Sequence, residues 1–153
     1  MPYQPGMADL VLQLLLAILV GTVMGLVAGA GQRGLEIRTY ILVTMGTVLL
    51  TSLSLRMAVS VGPPWMSDPA RISAQAISAL GFLGTGVIWW ASDPRARGIW
   101  AAAALWLAAI LGIMLGTGRI RLAVLALTLI IAALFLVHSY LRRRESSRPR
   151  RPS

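Results

Sequence analysis

Charged residues divide this chain into five long intervals that contain no charge: residues 10–32, 39–55, 72–92, 98–118 and 122–141. An α-helix needs roughly 20 apolar residues to cross the hydrocarbon layer of a bilayer. Each interval approaches or exceeds that length. The second is the shortest, but Arg56 can snorkel and residues 57–61 extend the apolar run. A sixth crossing does not fit, because residues 57–67 number only eleven and contain Gly62-Pro63-Pro64. Backbone polar groups in lipid must be satisfied within the crossing segment, so runs of this length are read as helices. Composition agrees: 57% of the 153 residues are hydrophobic and 12% charged, about half the charge of a soluble domain. The expected fold class is all-α, a polytopic membrane helix bundle with five transmembrane helices. Residues 1–9 form an N-terminal extracytoplasmic segment. Residues 10–141 form the membrane domain, with helices near 10–31, 38–61, 69–91, 97–117 and 120–141, and residues 142–153 a basic tail.

The net charge is +9, carried by 14 Arg with no Lys. Such a balance can signal nucleic acid, but beside membrane spans it reads as orientation, since positive residues gather on the cytoplasmic side. Six Arg follow the last span: Arg142, Arg143, Arg144, Arg148, Arg150 and Arg151. They predict a cytoplasmic C-terminus and, with five crossings, an outside N-terminus. Arg33, Arg38, Arg95 and Arg97 then also lie inside, against Arg56, Arg71, Arg119 and Arg121 outside. The tail is too short and polar to fold alone. It suits anionic lipid, although orientation explains it without a further role. The absence of Cys excludes a disulfide framework, a thiolate metal site and a Cys nucleophile, and leaves the redox compartment open.

The third interval is the informative one. Asp68 can cap a helix, and Pro69 suits its first position. At about 100° per residue, Asp68, Arg71, Gln75, Ser78, Phe82 and Thr85 share a sector about 100° wide. Polar side chains at membrane depth are costly unless they face protein or water. The stripe is therefore expected to face the interior of the bundle, with Gln75 bonded to another helix. The plainer alternative is that Asp68 and Arg71 cap the helix and pair with each other in the headgroup layer. Arg38, Asp68, Arg71, Gln75 and Ser78 make up the candidate intramembrane polar site.

Small residues mark close packing. Gly21, Gly25 and Gly29 recur every four residues in the first helix, and Ala104, Ala108, Gly112 and Gly116 do so in the fourth. Gly81, Gly84 and Gly86 allow either close contact or a local break in the third. The first interval could be taken for a signal peptide ending at Ala28-Gly29-Ala30. Its length, and the lack of a basic residue before it, favour a retained helix. Thr44, Thr47, Thr51, Ser52 and Ser54 can bond back to their own helix. Trp65, Trp89, Trp90 and Trp100 fit interfacial belts. The fifth helix, Leu-, Ile- and Ala-rich, should be peripheral, with His138 at the headgroup boundary. The short segment 93–97 should make the third and fourth helices antiparallel neighbours.

Catalytic chemistry is thin. One His and five acids, none deep in a span, leave little for acid–base work. The Gly81–Gly86 cluster follows no strand and is no nucleotide fingerprint. No catalytic, cofactor-binding or metal residue is assigned, and no cofactor is expected.

Four blocks resemble the membrane domain of the bacterial MgtC/SapB family. They are Gly25-Leu26 followed by Arg38-Thr39; Asp68-Pro69-x-Arg71-Ile72-x-Ala74-Gln75; Gly81-Phe82-Leu83-Gly84-x-Gly86-Val87-Ile88; and Arg97-Gly98-Ile99 with Ala102-Ala103-Ala104-Leu105-Trp106. The resemblance covers roughly residues 10–140, and the joined second and third blocks are its specific part. It implies a five-helix inner-membrane domain and an accessory role in growth at low magnesium or within host cells. It also implies links to inhibition of the F-type ATP synthase and to membrane potential and cation balance, rather than magnesium transport. Two departures stand out. Where the family usually has charged residues after the first Gly-Leu, this chain has Val27, Ala28 and Gly29. It also stops 12 residues after Leu141, as expected of a short form without the family's soluble C-terminal domain.

Two functions follow as expectations. One is a non-enzymatic membrane protein that packs against a partner, the ATP synthase by resemblance, or against a second copy of itself; one glycine face would serve the fold and the other the partner. The alternative is a small transporter or channel subunit, motivated by the polar stripe and Arg38.

Overall fold

The computed structural model describes residues 6–29, 36–60, 68, 70–90 and 97–146. They form five helices: α1 (Met7–Val27), α2 (Ile37–Ser60), α3 (Ala70–Trp90), α4 (Arg97–Gly116) and α5 (Ile120–Ser146). All five are long and apolar enough to cross a membrane, and no strand occurs among the described residues. The Pro63-Pro64 turn, Trp65, Pro69, Arg33 and Arg95 lie outside the described residues.

Local chemistry sets the helix ends. Gly6, in extended backbone at the N-cap of α1, donates its N–H to Asp9 Oδ2 at 3.0 Å. Asp68 Oδ1 accepts from Ala70 N–H at 2.9 Å, which starts α3 as its side chain predicts. Between α4 and α5, Gly118 takes φ +76°. Its N–H reaches the Leu115 carbonyl at 2.9 Å, and that of Arg119 reaches Met114 at 3.1 Å. This paired closure of the last turn needs a left-handed residue, which glycine supplies without steric cost.

Three boundaries differ from expectation by three residues or more, the first being the start of α1 at Met7 rather than near residue 10. Helix α1 ends at Val27 because Gly29, at φ +75°, turns the chain out of the helix. Helix α5 instead continues through the first tail arginines to Ser146. A helix already nucleated by a membrane span propagates cheaply, Arg and Glu are good helix formers, and positive charge favours a helix C-terminus.

Helices α2 and α4 occupy the centre. Helix α1 packs against both, α3 packs against α4 and α2, and α5 lies against α4 and only slightly against α1. The contacts fix the directions. Positions for a Cβ on Gly21 and Gly25 fall beside Ile41 and Ile37 respectively, so α1 and α2 are antiparallel. Those on Gly112 and Gly116 fall beside Thr44 and Val48, so α2 and α4 are parallel. A Cβ on Gly84 would meet Ala102 at 3.7 Å, while Ser73 lies against Thr51, which itself flanks Gly116, so α3 is antiparallel to α4. The core runs through Ala17, Val20 and Met24 of α1, Tyr40 and Val48 of α2, and Leu105, Ala108, Leu111 and Leu115 of α4.

Both small-residue faces serve this packing. A Cβ on Gly21 would lie 2.6 Å from Ile41 Cα, and one on Gly25 would lie 3.1 Å from Ile37 Cα. A Cβ on Gly112 would lie 2.7 Å from the Thr44 carbonyl oxygen, and one on Gly116 would lie 2.9 Å from that of Val48. Neither face is left over for a partner, which corrects the expected division of labour. The reason is geometric: α2 is sandwiched, so α1 and α4 both need a smooth surface to approach it.

Candidate functional site

Helix α3 packs through Ser73, Ala76, Ile77, Leu80, Gly84 and Val87, which are buried or half-buried. Asp68, Arg71, Gln75, Ser78, Phe82 and Thr85 are all exposed. On a helical wheel the two sets lie about 180° apart. The polar stripe therefore points directly away from this chain's own bundle. That corrects the expectation that it lines the interior. Periodicity placed the residues on one face correctly, but α4 and α2 take the small apolar face instead.

The stripe's hydrogen bonds are uneven. Ser78 donates to the Ala74 carbonyl at 3.2 Å, and Thr85 to that of Gly81 at 2.9 Å. Both hydroxyls are satisfied within α3. Among the described residues, the side chains of Arg71 and Gln75 make no hydrogen bond, and Asp68 and Arg71 form no ion pair. Arg38 is not part of this group. It pairs with Glu36, with both side chains exposed, at the start of α2. The Thr51–Ser73 hydroxyl contact of 3.5 Å places the start of α3 near the other end of α2. Some eighteen helical residues, roughly 27 Å, thus separate Arg38 from the stripe's polar end.

The interior holds a different polar set. Gln13, Thr44, Thr47, Thr51, Ser52 and Ser54 are buried. Thr44 and Thr47 donate to the Tyr40 and Val43 carbonyls at 2.7 and 3.0 Å, the local back-bonding expected of them. Gln13, fully buried, accepts from Ser52 Oγ at 3.5 Å and links α1 to α2. Sequence reasoning missed it. The available signal was its spacing: Gln13, Ala17, Val20 and Met24 share one helical face, and the last three form the core. No buried side-chain nitrogen or oxygen lacks a partner among the described residues. Replacing Gln13 with Leu keeps the volume and strips Ser52 of its partner. It should destabilise the bundle by about 1 kcal/mol, read from an unfolding titration in detergent; a more stable variant would show that this layer contributes nothing.

The glycines of α3 contrast with those of α1 and α4. A Cβ on Gly81 or Gly86 would meet nothing within 4 Å, as on Gly29, which lies past the end of α1. His138 lies at an apolar groove shared by Val27, Trp100 and Phe135. Among the described residues, no three His, Cys, Asp or Glu side chains are placed to hold a metal ion.

Because the described residues assemble no metal-binding cluster, the bundle is best identified by its whole sequence. The profile of the MgtC family matches residues 14–143. The chain belongs to the MgtC family. It is 34% identical over 133 residues to Protein MgtC of Salmonella typhimurium, covering 87% of this chain and 54% of that protein. It is 34% identical over 125 residues to Protein SapB of Bacillus subtilis, covering 80% and 54%. An uncharacterized protein of Haemophilus influenzae is 33% identical over 127 residues, covering 81% and 53%. The MgtC-family chain described here thus spans about half the length of these relatives. No solved structure matches it.

Proposed function

We propose that this MgtC-family protein acts without catalysis, by binding another membrane protein and so altering ion or energy balance across a bacterial inner membrane. The observation that supports this reading is how the described interior is used. The glycine faces of α1 and α4 are both occupied against α2, and the buried polar side-chain atoms of the described residues are all paired. The outer surface of the bundle carries many exposed apolar side chains that are available to another molecule. The Arg distribution supports an outside N-terminus and a cytoplasmic C-terminus. The family resemblance makes the F-type ATP synthase the first partner to test, with low-magnesium or stress adaptation as the setting.

The test is co-reconstitution of the two proteins in sealed vesicles. ATP-driven proton pumping should fall with rising protein-to-enzyme ratio and then saturate, while vesicles holding this protein alone stay impermeable. Unchanged pumping at saturating protein would remove the ATP synthase as partner. A protein-only flux of any common ion would instead support a transporter.

A further inference from the structure

We propose that the outward face of α3 is a contact surface for a second copy of this chain, with the two α3 helices parallel about a twofold axis along the membrane normal. The proposal is independent of which protein the bundle modulates.

The first observation is spacing. The exposed residues Asp68, Arg71, Gln75, Ser78, Phe82, Thr85 and Trp89 recur at alternating intervals of three and four. That mean of 3.5 is the seam of a left-handed helix pair, in which one helix's side chains insert between those of the other. Phe82 and Trp89, at 82% and 89% exposure, supply bulk along the seam. The positions beside it are Ala74, Ala79, Gly81 and Gly86, all exposed. Within the chain, Gly81 and Gly86 have open space where a Cβ would go. Intramolecular packing gives no reason for these two glycines, whereas close approach of a second helix does.

The second observation is polar bonding. Gln75 lies more than one helical turn inside the α3 span, which runs from Ala70 to Trp89. Its amide makes no hydrogen bond among the described residues. Left against lipid, its donors and acceptor would be desolvated without compensation.

The third observation decides the occupant. Copies of one membrane protein insert in the same orientation, so a twofold pair places each seam residue opposite itself. A glutamine amide is donor and acceptor at once, so it is complementary to its own image. Asp68 and Arg71, one helical turn apart at the span's edge, supply crossed opposite charges: each Arg71 has the other copy's Asp68 one turn along the seam. Helix α3 thus carries both halves of every polar contact it requires.

The chain has no Cys, so single cysteines report proximity directly. In vesicles under mild oxidation, Ser78→Cys and Thr85→Cys should give a disulfide-linked dimer. Leu19→Cys and Leu129→Cys, on the exposed faces of α1 and α5, should remain monomeric. Equal cross-linking at seam and control positions overturns the proposal, as does none at the seam. Energy transfer between labelled copies otherwise carrying the natural seam gives a second reading that no folding defect can mimic. It should fall on dilution with lipid, and Gln75→Leu should shift the midpoint by roughly tenfold towards dissociation. Monomer at every protein-to-lipid ratio, or no shift with Gln75→Leu, overturns it.

Discussion

Gly112→Val is expected to collapse the bundle, and Gly46→Ala to leave it at least as stable as the natural chain. The contrast isolates close approach from any general effect of adding a methyl group. A Cβ at Gly112 would sit 2.7 Å from the Thr44 carbonyl oxygen and on the Thr47 hydroxyl. The carbonyl belongs to a helix backbone and cannot swing away. The Thr47 side chain is held as well, donating to Val43 and Thr44 carbonyls at 3.0 and 2.9 Å. Relief therefore requires α2 and α4, the two central helices, to part. Overpacking ordinarily costs about 1–3 kcal/mol, and an encounter with backbone should exceed that range. At Gly46 a Cβ meets nothing within 4 Å, so Ala there adds helix propensity of up to about 1 kcal/mol. Thermal unfolding in detergent, followed by helical circular dichroism, reads both. If Gly112→Val melts with the natural chain, the close contact between α2 and α4 is not what holds the centre.

The same contact shows what could be read before the fold was seen. Four-residue spacing of small residues needs no knowledge of the partner helix, because only a smooth strip lets backbones approach so nearly. Gly21, Gly25, Gly112 and Gly116 were visible on that ground. Their shared target, α2, was not, since nothing in a glycine strip encodes what lies across from it. The α3 stripe shows the other side of this limit. Helical periodicity put Asp68, Arg71, Gln75 and Ser78 on one face, but in a membrane apolar residues line both core and lipid. Hydropathy therefore does not say which face turns inward. The choice falls to shape, and Ser73, Ala76 and Gly84 make the smooth side that α4 and α2 accept. Gln13 escaped notice for a related reason: one polar residue in an otherwise apolar helix forms no stripe, and only its register with Ala17, Val20 and Met24 places it inside.

Tyr40→Ala should be the most damaging removal of a single buried side chain, costing about 3–5 kcal/mol, while Tyr40→Phe should cost only about 0.5–1 kcal/mol. Tyr40 is the largest of the fully buried side chains, at 0% exposure. It belongs to α2 but touches both α1 and α4. Its ring lies against the bare backbone of Gly25 on α1, where Cδ2 would be 3.3 Å from a Cβ. Its hydroxyl donates to the Ala101 carbonyl on α4 at 3.3 Å. The ring thus fills the junction of three helices, and the hydroxyl contributes one long hydrogen bond. Truncation to Ala leaves a cavity that α1 can fill only by moving towards α2. The Gly21–Ile41 contact, already as close as backbones allow, blocks that motion. Phe keeps the ring and gives up the bond, leaving the Ala101 carbonyl to its own helix. An unfolding titration of the two variants beside the natural chain separates packing from bonding. Equal losses would assign the junction's stability to the hydroxyl, and a Tyr40→Ala protein of natural stability would mean that the three helices meet without it.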